Sequence, residues 1–418
     1  MHYNQKIEDV LVIGGGMITN DQILPSLYHL QRLNRIGQIA VCAQTGKTVK
    51  KLADNAIIKE AFPNASFTPY PDFNNGDINE RHPEMYKDVM SKMNDNNLVI
   101  VATPDQSHYQ IIKDALNANQ NVIAVKPLVL KYKQGEELAG LASEKGLFLG
   151  VEYHKRMDDR ALMARQHYQA GHFGEFRVGQ ALLLEPYYYM DSNFQNWCTC
   201  ENTDMFTYVG CHYVDQVHLI TGLLPVEVSV YGIKDKYPNG KEGFLWTDAR
   251  IIWENGASLN VIDAIGYPDG AAGGNAQGIK MFCKGRKDSC MIFHEDQYRG
   301  LKYSFDTECE NAPSKQYQEP NPDFLRLIYR GGNDGLEPVG YGYRSIEKLV
   351  EGALRITQCE SLSAKQAELK QIDDEGILAT PKNSAYNELV VEAGRLSILN
   401  DGKPAVIEYG DNPSVKLK

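Results

Sequence analysis

The first 150 residues alternate short apolar runs with segments that have the spacing of amphipathic helices. The apolar runs are "DVLVIGGG", "QIAVCAQ", "NLVIVATP", "NVIAVKP" and "LFLGVEY". Between them lie "KTVKKLADNA", "QSHYQIIKDALNANQ" and "KYKQGEELAGLASEKG", and Ile and Leu recur at helical spacing from Asp21 to Leu33. Strands that are apolar throughout and alternate with helices form a parallel sheet covered on both faces. The pattern therefore predicts an N-terminal α/β domain, residues 1–150, with a doubly wound Rossmann sheet.

The pattern changes after about residue 155 to alternating or mixed strands. These are "EVSVYGIK", "DARIIWENGASLNVIDAI", "GIKMFCKG" and "SCMIFH", with turns marked by Asn-Gly and Gly-Arg-Lys. They predict a second, α+β domain, residues 151–418, with a large, mostly antiparallel open-faced sheet flanked by helices. The C-terminal helices could pack back on the Rossmann domain. The helices suffice for one face of the sheet, so we expect the other face to be buried in a homodimer or homotetramer.

Charge and composition restrict the class of partner. The formal net charge of -11 disfavours a nucleic-acid or anionic-membrane surface, because either would require a basic patch. No window approaches the ~18 apolar residues of a membrane helix, and the opening "MHYNQKIEDV" is polar, which predicts a cytoplasmic protein. The cysteines are sparse, and Cys198 and Cys200 have no second Cys/His pair at ligand spacing. We therefore expect free thiols and no metal site.

The glycine-rich turn "VIGGGMI" follows the first predicted strand and opens a helix. Gly14 and Gly16 occupy the first two glycine positions of a dinucleotide fingerprint, while Thr19 stands at the third. Glycines there allow a tight turn and let backbone N–H groups meet a pyrophosphate. A plain strand-to-helix turn is the alternative, but the position in the first βαβ unit favours a dinucleotide bound at Gly14, Gly16, Met17 and Ile18.

The end of the second strand leaves the choice between NAD and NADP open. The Asp or Glu that usually contacts the adenosine ribose is replaced here by Ala43 and Gln44. Without a carboxylate, Thr45, Lys47 or Thr48 could receive a 2′-phosphate, which slightly favours NADP. Gln44 could equally hydrogen-bond the ribose diol of NAD.

The run "NVIAVKPLVL" contains a single charged residue, Lys126. Lysine is rarely fully buried without a partner, and Pro127 ends the strand directly behind it. Lys126 either extends from the strand end to solvent or points its ammonium at a ligand.

Three segments resemble the Gfo/Idh/MocA oxidoreductases (glucose-fructose oxidoreductase, inositol dehydrogenase and relatives). "VIVATPDQSHYQIIKDALNANQNVIAVKPL" resembles their strand–TPxxxH–helix–strand–EKP signature. "GVEYHKRMDDRALMARQHYQAGHFGEFRVG" is similar to the opening of their second domain, and "YVGCHYVDQVHLITGLLPVEV" to their helix with a catalytic histidine. The resemblance extends from about residue 8 to 300. It implies an NAD(P)-dependent oxidoreductase that transfers hydride to or from a secondary alcohol.

The resemblance also implies roles for individual residues. Lys126 would lie beneath the nicotinamide and donate to the reacting oxygen, and His212 would take the alcohol proton and contact the substrate. Asp215, one turn later, would orient the imidazole or bind a sugar hydroxyl. Thr103, Pro104 and His108 would line the dinucleotide, with Gln44 and Thr45 at its ribose. Taken alone, His212 and Asp215 would be an ordinary helix histidine and a solvated carboxylate.

Two positions depart from the family pattern. Val125 stands where an acidic residue precedes the lysine, and Tyr208 stands where an aspartate precedes the histidine by four residues. Tyr208 could still donate through its phenol. Oxidoreductase chemistry remains the expectation, and the proton relay stays open.

Residues after the last Rossmann strand are candidates for substrate binding: His154, Lys155 and Arg156, followed by Tyr187 and Trp197 in the aromatic run "EPYYYMDSNFQNW". Aromatic rings suit stacking on a sugar, although this run could equally be core or interface. A sugar, polyol or glycoside is the expected substrate. Two alternatives share the fold: a glycosidase that uses NAD for transient oxidation, and a non-catalytic dinucleotide- or sugar-binding sensor. Lys126 and His212 disfavour the sensor, whereas Tyr208 and Val125 keep it open.

Overall fold

The computed structural model describes residues 6–271, 274–285, 287–295, 324–329 and 335–418, so the end of the family-like stretch, residues 296–300, lies outside it. The chain forms two compact units. The first comprises residues 1–129, 133–157 and 325–385, and the second comprises residues 130–132, 158–324 and 386–418.

The first unit is built on a parallel six-stranded sheet, as the alternating pattern predicts. Its strands are β1 (Ile7–Ile13), β2 (Ile36–Cys42), β3 (Thr68–Tyr70), β4 (Leu98–Val101), β5 (Asn121–Val125) and β6 (Leu149–Glu152). Their spatial order is β3-β2-β1-β4-β5-β6, that of a dinucleotide-binding fold. The intervening helices are α1 (Leu24–Arg32), α2 (Gly46–Ala53), α3 (Ala56–Ala61), α4 (Met85–Met90), α5 (His108–Asn117) and α6 (Tyr132–Lys145).

The carboxyl ends of the strands bring several predicted site residues to one edge of this sheet. The strands are buried on both faces, and all four residues of β4 are buried. In a parallel sheet every strand ends at the same edge, so the segments after β1, β2, β4 and β5 are neighbours there. These segments carry Gly14, Gln44, Thr103 and Lys126, respectively.

The second unit contains an eight-stranded sheet. Its first part comprises α7 (Asp159–Gln169), β7 (Glu175–Pro186), α8 (Phe194–Trp197), α9 (Cys211–Thr221), β8 (Pro225–Lys236), β9 (Glu242–Trp253), β10 (Ser258–Tyr267), β11 (Ala276–Lys284) and β12 (Ser289–Glu295). With the two C-terminal strands β15 (Ala405–Glu408) and β16 (Ser414–Leu417), the order in the sheet is β12-β11-β7-β10-β9-β8-β15-β16. All pairs are antiparallel except β7 with β10, which confirms the mostly antiparallel sheet.

The C-terminal part of the chain contributes to both units in turn. The antiparallel pair β13 (Arg326–Tyr329) and β14 (Leu336–Val339) and the helices α10 (Tyr341–Thr357) and α11 (Leu362–Glu375) belong to the first unit. There the Val151 N–H of β6 donates to the Ala379 carbonyl (2.8 Å). Helix α12 (Ala385–Ile398), β15 (Ala405–Glu408) and β16 (Ser414–Leu417) complete the second unit.

The two faces of the large sheet differ in burial. One face packs on a core that includes Phe206 and Trp253. Along β11 and β12, core residues alternate with exposed apolar ones, so the exposed side chains project from the opposite face. That face, here called the open face, carries Val178, Tyr231, Ile233, Phe282, Met291 and Phe293, each between 45% and 60% exposed.

A buried carboxylate fixes the start of α7. The Asp158 carboxylate accepts from the Arg160 backbone N–H (3.0 Å) and lies 3.0 Å from His294 Nε2 on β12. Burial by itself raises the pKa of Asp158, but the hydrogen bonds from His294 and Arg160 outweigh it and hold that pKa below its ordinary value. Asp158 therefore stays ionised and joins the helix to the edge of the sheet.

Candidate functional site

The turn after β1 requires glycine at position 14. Gly14 has φ +113°, and a Cβ there would lie 2.0 Å from the carbonyl oxygen of Ala102 on the neighbouring strand's end. Its N–H donates to the Cys42 carbonyl (2.8 Å), and its own carbonyl accepts from the Thr19 hydroxyl (2.8 Å). Thr19, which stands in the third glycine position, thus closes the turn with a side-chain hydrogen bond.

The space beside Gly16 fits a dinucleotide pyrophosphate. A Cβ at Gly16 would meet no atom within 4 Å, so a ligand can approach the backbone there. Met17 next to it is exposed and Ile18 is half-buried, and the helical segment begins at Met17 and continues through a π-helical turn, Thr19–Ile23, into α1. The N-terminal N–H groups of such a turn are suited to a phosphate anion.

His108 joins the loops that follow β4 and β5. Its ring is fully buried, and its Nδ1 and Nε2 each lie 2.8 Å from a backbone carbonyl oxygen, those of Pro127 and Thr103. This arrangement favours a positioning role for His108 over direct contact with a dinucleotide. The half-buried Thr103 and Pro104 remain the candidates in that loop to line it, and the Thr103 hydroxyl accepts from Ser107 (2.8 Å).

Lys126 directly follows β5 and is half-buried. The Lys126–Pro127 peptide bond is cis, and the Pro127 carbonyl is the one that contacts His108 Nδ1. Lys126 therefore stands at the carboxyl edge of the sheet, in a loop that a buried side chain holds in place.

The segment after β2 contains a contact that the sequence analysis missed. Gln44 is exposed, and its side-chain oxygen accepts from the Arg81 guanidinium. Thr45 begins α2, where its hydroxyl accepts from the Thr48 N–H. No local pattern links Arg81 to this edge, because it lies 37 residues beyond Gln44.

His154 lies in a network within the first unit. Its Nδ1 is 3.0 Å from the carboxylate of buried Glu152, and its ring stacks on Tyr341 at 5.7 Å between centroids. The other Glu152 oxygen accepts from Gln22 (2.8 Å), which lies one helical turn beyond the glycine-rich segment. The network thus links the end of β6 to the helix that opens at the predicted dinucleotide site.

Lys155 and Arg156, which were predicted to bind substrate, are each only 2% exposed. Arg156 donates to the side-chain oxygen of Asn383 (3.3 Å), and its guanidinium lies 5.9 Å from the Tyr153 ring. These contacts give Arg156 a structural role in the first unit.

In the second unit, His212 and Asp215 lie on α9 and are buried. One Asp215 oxygen accepts from the Tyr386 hydroxyl (2.8 Å) and from the Asn387 amide (3.3 Å). The Tyr386 ring in turn lies 4.0 Å from that of His218. Two side chains of α12 therefore fix the Asp215 carboxylate, a support that the sequence did not reveal because Tyr386 is 171 residues away.

Tyr208 and Trp197 belong to one aromatic cluster. Their ring centroids are 5.1 Å apart, and each also contacts Phe194, at 5.2 Å and 4.9 Å. Both are half-buried, whereas Tyr187 is exposed. Tyr208 and Trp197 therefore pack against Phe194 while remaining partly exposed, and Tyr187 lies at the surface.

Among the described residues, no three His, Cys, Asp or Glu side chains are grouped so as to hold a metal ion. The cysteines of the described part are free thiols. Within the same ranges, none of the helices combines the length and apolarity that crossing a bilayer requires.

Comparison with curated proteins finds relatives that match about a third of the chain. An uncharacterized oxidoreductase of Schizosaccharomyces pombe is 30% identical over 130 residues, which is 30% of this chain and 34% of that protein. The scyllo-inositol 2-dehydrogenase (NADP(+)) IolW of Bacillus subtilis is 28% identical over 128 residues, 30% of this chain and 35% of that protein. The matched part thus spans about a third of the length of these relatives.

Solved structures match the fold of almost the whole chain. The scyllo-inositol dehydrogenase of Lactobacillus casei, solved with NAD(H) and scyllo-inositol, superposes with a TM-score of 0.56 over 95% of this chain and 97% of its own. Its sequence identity of 15% supports a shared fold only. Residues 9–153 also match the family model described as an oxidoreductase family with an NAD-binding Rossmann fold. Residues 9–153 of this chain are therefore similar to the Rossmann-fold domain of the Gfo/Idh/MocA oxidoreductase family.

Proposed function

We propose that this chain is a nicotinamide-dependent dehydrogenase that oxidises or forms a secondary alcohol of a sugar, polyol or glycoside. The observation that carries the proposal is the open approach to the backbone at Gly16, beside the Gly14 turn, at the carboxyl edge of a dinucleotide-binding sheet. The family match supports the redox chemistry, and scyllo-inositol, a polyol, is what one relative and one solved neighbour act on or bind.

The proposed roles follow from the chemistry of the side chains. A bound nicotinamide would accept or deliver the hydride. The Lys126 ammonium would stabilise negative charge on the reacting oxygen, and His212 would hold the alcohol proton. Asp215, whose carboxylate is acceptor-only when ionised, would orient the His212 imidazole or accept from a sugar hydroxyl. Trp197 and Tyr187 supply aromatic faces for a sugar ring.

A substrate panel tests this proposal against its two alternatives. Sugars, polyols and glycosides are incubated with NAD or NADP, and both the absorbance of reduced nicotinamide and the products are followed. A dehydrogenase accumulates reduced cofactor in proportion to ketone. Cleavage of a glycoside without net reduction would instead identify a glycosidase, and cofactor binding without any turnover would identify a sensor.

We also propose that the open face is a subunit interface. It presents Val178, Phe282, Met291 and Phe293 on three neighbouring strands, β7, β11 and β12, with Val178 paired to Phe282 and Phe282 to Met291, and exposed apolar surface of this kind usually marks an interaction site. We expect a dimer or tetramer by light scattering at micromolar concentration. The double variant Phe282→Glu, Phe293→Glu should reduce the particle mass measured by light scattering, because burying two carboxylates without partners in the interface is costly.

The control is Leu362→Glu on α11, which changes a similarly exposed apolar residue outside the sheet. It should leave the mass unchanged. A monomeric wild-type protein would refute the proposed interface.

A further inference from the structure

We propose that Arg81 and Gln44 form a subsite for the 2′-phosphate of NADP, so that this chain selects NADP over NAD. The inference rests on the proposed function, because it presupposes a dinucleotide at the carboxyl edge of the first sheet. It starts from the contact between the Arg81 guanidinium and the Gln44 side-chain oxygen. Gln44 lies just beyond β2, where dinucleotide-binding folds read the adenosine ribose.

The backbone fixes Arg81 at this position. The His82 N–H donates to the Gln44 carbonyl (2.8 Å), directly next to Arg81. Two further bonds anchor the same loop to the β2–α2 turn, from Ala43 N–H to the Tyr70 carbonyl (2.9 Å) and from Lys47 N–H to that of Ile78 (2.8 Å). The loop of residues 71–84 is therefore held against the turn at both of its ends. These backbone bonds, and not the contact between the Arg81 guanidinium and Gln44, set the position of Arg81.

The hydrogen-bonding groups of the pair suit a phosphate better than a diol. The 2′- and 3′-hydroxyls of NAD donate hydrogen bonds, and NAD-selective sites meet them with a carboxylate acceptor. The Gln44 side-chain oxygen already accepts from Arg81, and its amide nitrogen contributes two N–H donors. Arg81 adds further N–H donors in a planar fork. A pair that is rich in donors and carries no carboxylate matches a phosphate monoester.

Three acidic residues of the loop, Asp72, Asp77 and Glu80, have partners inside it. The carboxylates of Asp72 and Asp77 each accept, at 2.9 Å, from the backbone N–H two residues further on. Glu80 lies 3.9 Å from His82 Nε2. These contacts reduce the repulsion that the loop would otherwise exert on a phosphate, and the lysines of α2 (Lys47, Lys50 and Lys51) add positive charge next to the turn.

Affinity measurements test the subsite without relying on turnover. NADPH, NADH, 2′,5′-ADP and ADP are titrated calorimetrically into the full chain. We expect each 2′-phosphorylated ligand to bind at least about tenfold more tightly than its counterpart, the size of a hydrogen bond to a charged group. Arg81→Ala should remove that preference and leave NADH binding within about twofold. Gln44→Glu should reverse it, because the new carboxylate repels phosphate and accepts from the diol.

Arg177→Ala is the matched control, since Arg177 is a similarly exposed arginine that pairs with an acidic side chain, Glu175, far from β2 in sequence. Arg177→Ala should change neither the affinity for NADPH nor the affinity for NADH. Equal or tighter binding of NADH by the wild-type chain, or an equal loss of both cofactors in Arg81→Ala, would overturn the subsite while leaving the dehydrogenase proposal intact. Absence of binding by all four ligands would instead refute the dinucleotide site itself.

Discussion

Lys126→Met should lose turnover by about 10²–10³-fold while binding dinucleotide almost normally. Lys126 follows β5 at the carboxyl edge of the Rossmann sheet, in a loop that His108 holds through the Pro127 carbonyl. Its ammonium would stabilise charge that develops on the substrate oxygen during hydride transfer. Methionine occupies similar space but carries no charge, so the loss should appear in kcat and not in dinucleotide affinity. Steady-state kinetics with the substrate found in the panel and a cofactor titration measure the two effects.

Variants in the second unit identify the proton-transfer group. His212→Ala should also lose much activity, with part of it recovered at high pH, where the alcohol ionises more readily. Tyr208→Phe removes only a hydroxyl from an aromatic cluster, so its packing should be preserved. A small loss of activity in Tyr208→Phe would assign proton transfer to His212 with Asp215, and a large loss would assign it to the Tyr208 phenol.

If Lys126→Met kept most of its turnover, Lys126 would be a structural strand-end lysine.

Gly14→Ala and Gly16→Ala should separate the folding role of the glycine-rich turn from its binding role. At Gly14, a Cβ would lie 2.0 Å from the Ala102 carbonyl oxygen at a φ of +113°. A strained conformation of this kind costs about 1–3 kcal/mol, and the contact with backbone adds to it. Gly14→Ala should therefore lower the melting temperature and abolish dinucleotide binding.

Gly16→Ala should leave the melting temperature unchanged, because a Cβ there meets no atom within 4 Å. The added methyl group would project into the space that the pyrophosphate needs, so dinucleotide affinity should fall by at least about tenfold, the effect of losing one charge-assisted hydrogen bond. Calorimetry and thermal unfolding of both variants make the comparison. Unchanged affinity in a folded Gly16→Ala protein would show that the turn serves only the fold.

Local sequence patterns were sufficient for five of the six strands of the parallel sheet in the first unit, all except β3. A wholly apolar strand such as β4 and a glycine turn after β1 can each be identified within a few residues. Their parallel pairing then follows from the helices between them, and the common carboxyl edge follows from the pairing. Gly14 and Gly16 could therefore be identified as candidate site residues from local pattern, whereas the role of Lys126 came from the family resemblance.

Contacts between distant segments could not be predicted in this way. Tyr386 is 171 residues from the Asp215 that it supports, and Arg81 is 37 residues from Gln44. Strand β7 is an interior strand of the second sheet that pairs in parallel with β10, about 80 residues later, and its local pattern does not indicate this partner. Helical periodicity located α10 but carries no information on which unit it joins. A single sequence contains the pattern that forms each helix or strand, but it does not show which distant helix or strand that element packs against or pairs with.

Calorimetric titration of the wild-type chain with NADPH and NADH tests the central claim, a dinucleotide-binding dehydrogenase, most directly. We predict saturable binding of at least one of them with one site per chain, lost in Gly14→Ala and weakened in the folded Gly16→Ala protein. Absence of binding by both cofactors to the correctly folded wild-type chain would contradict the proposed function.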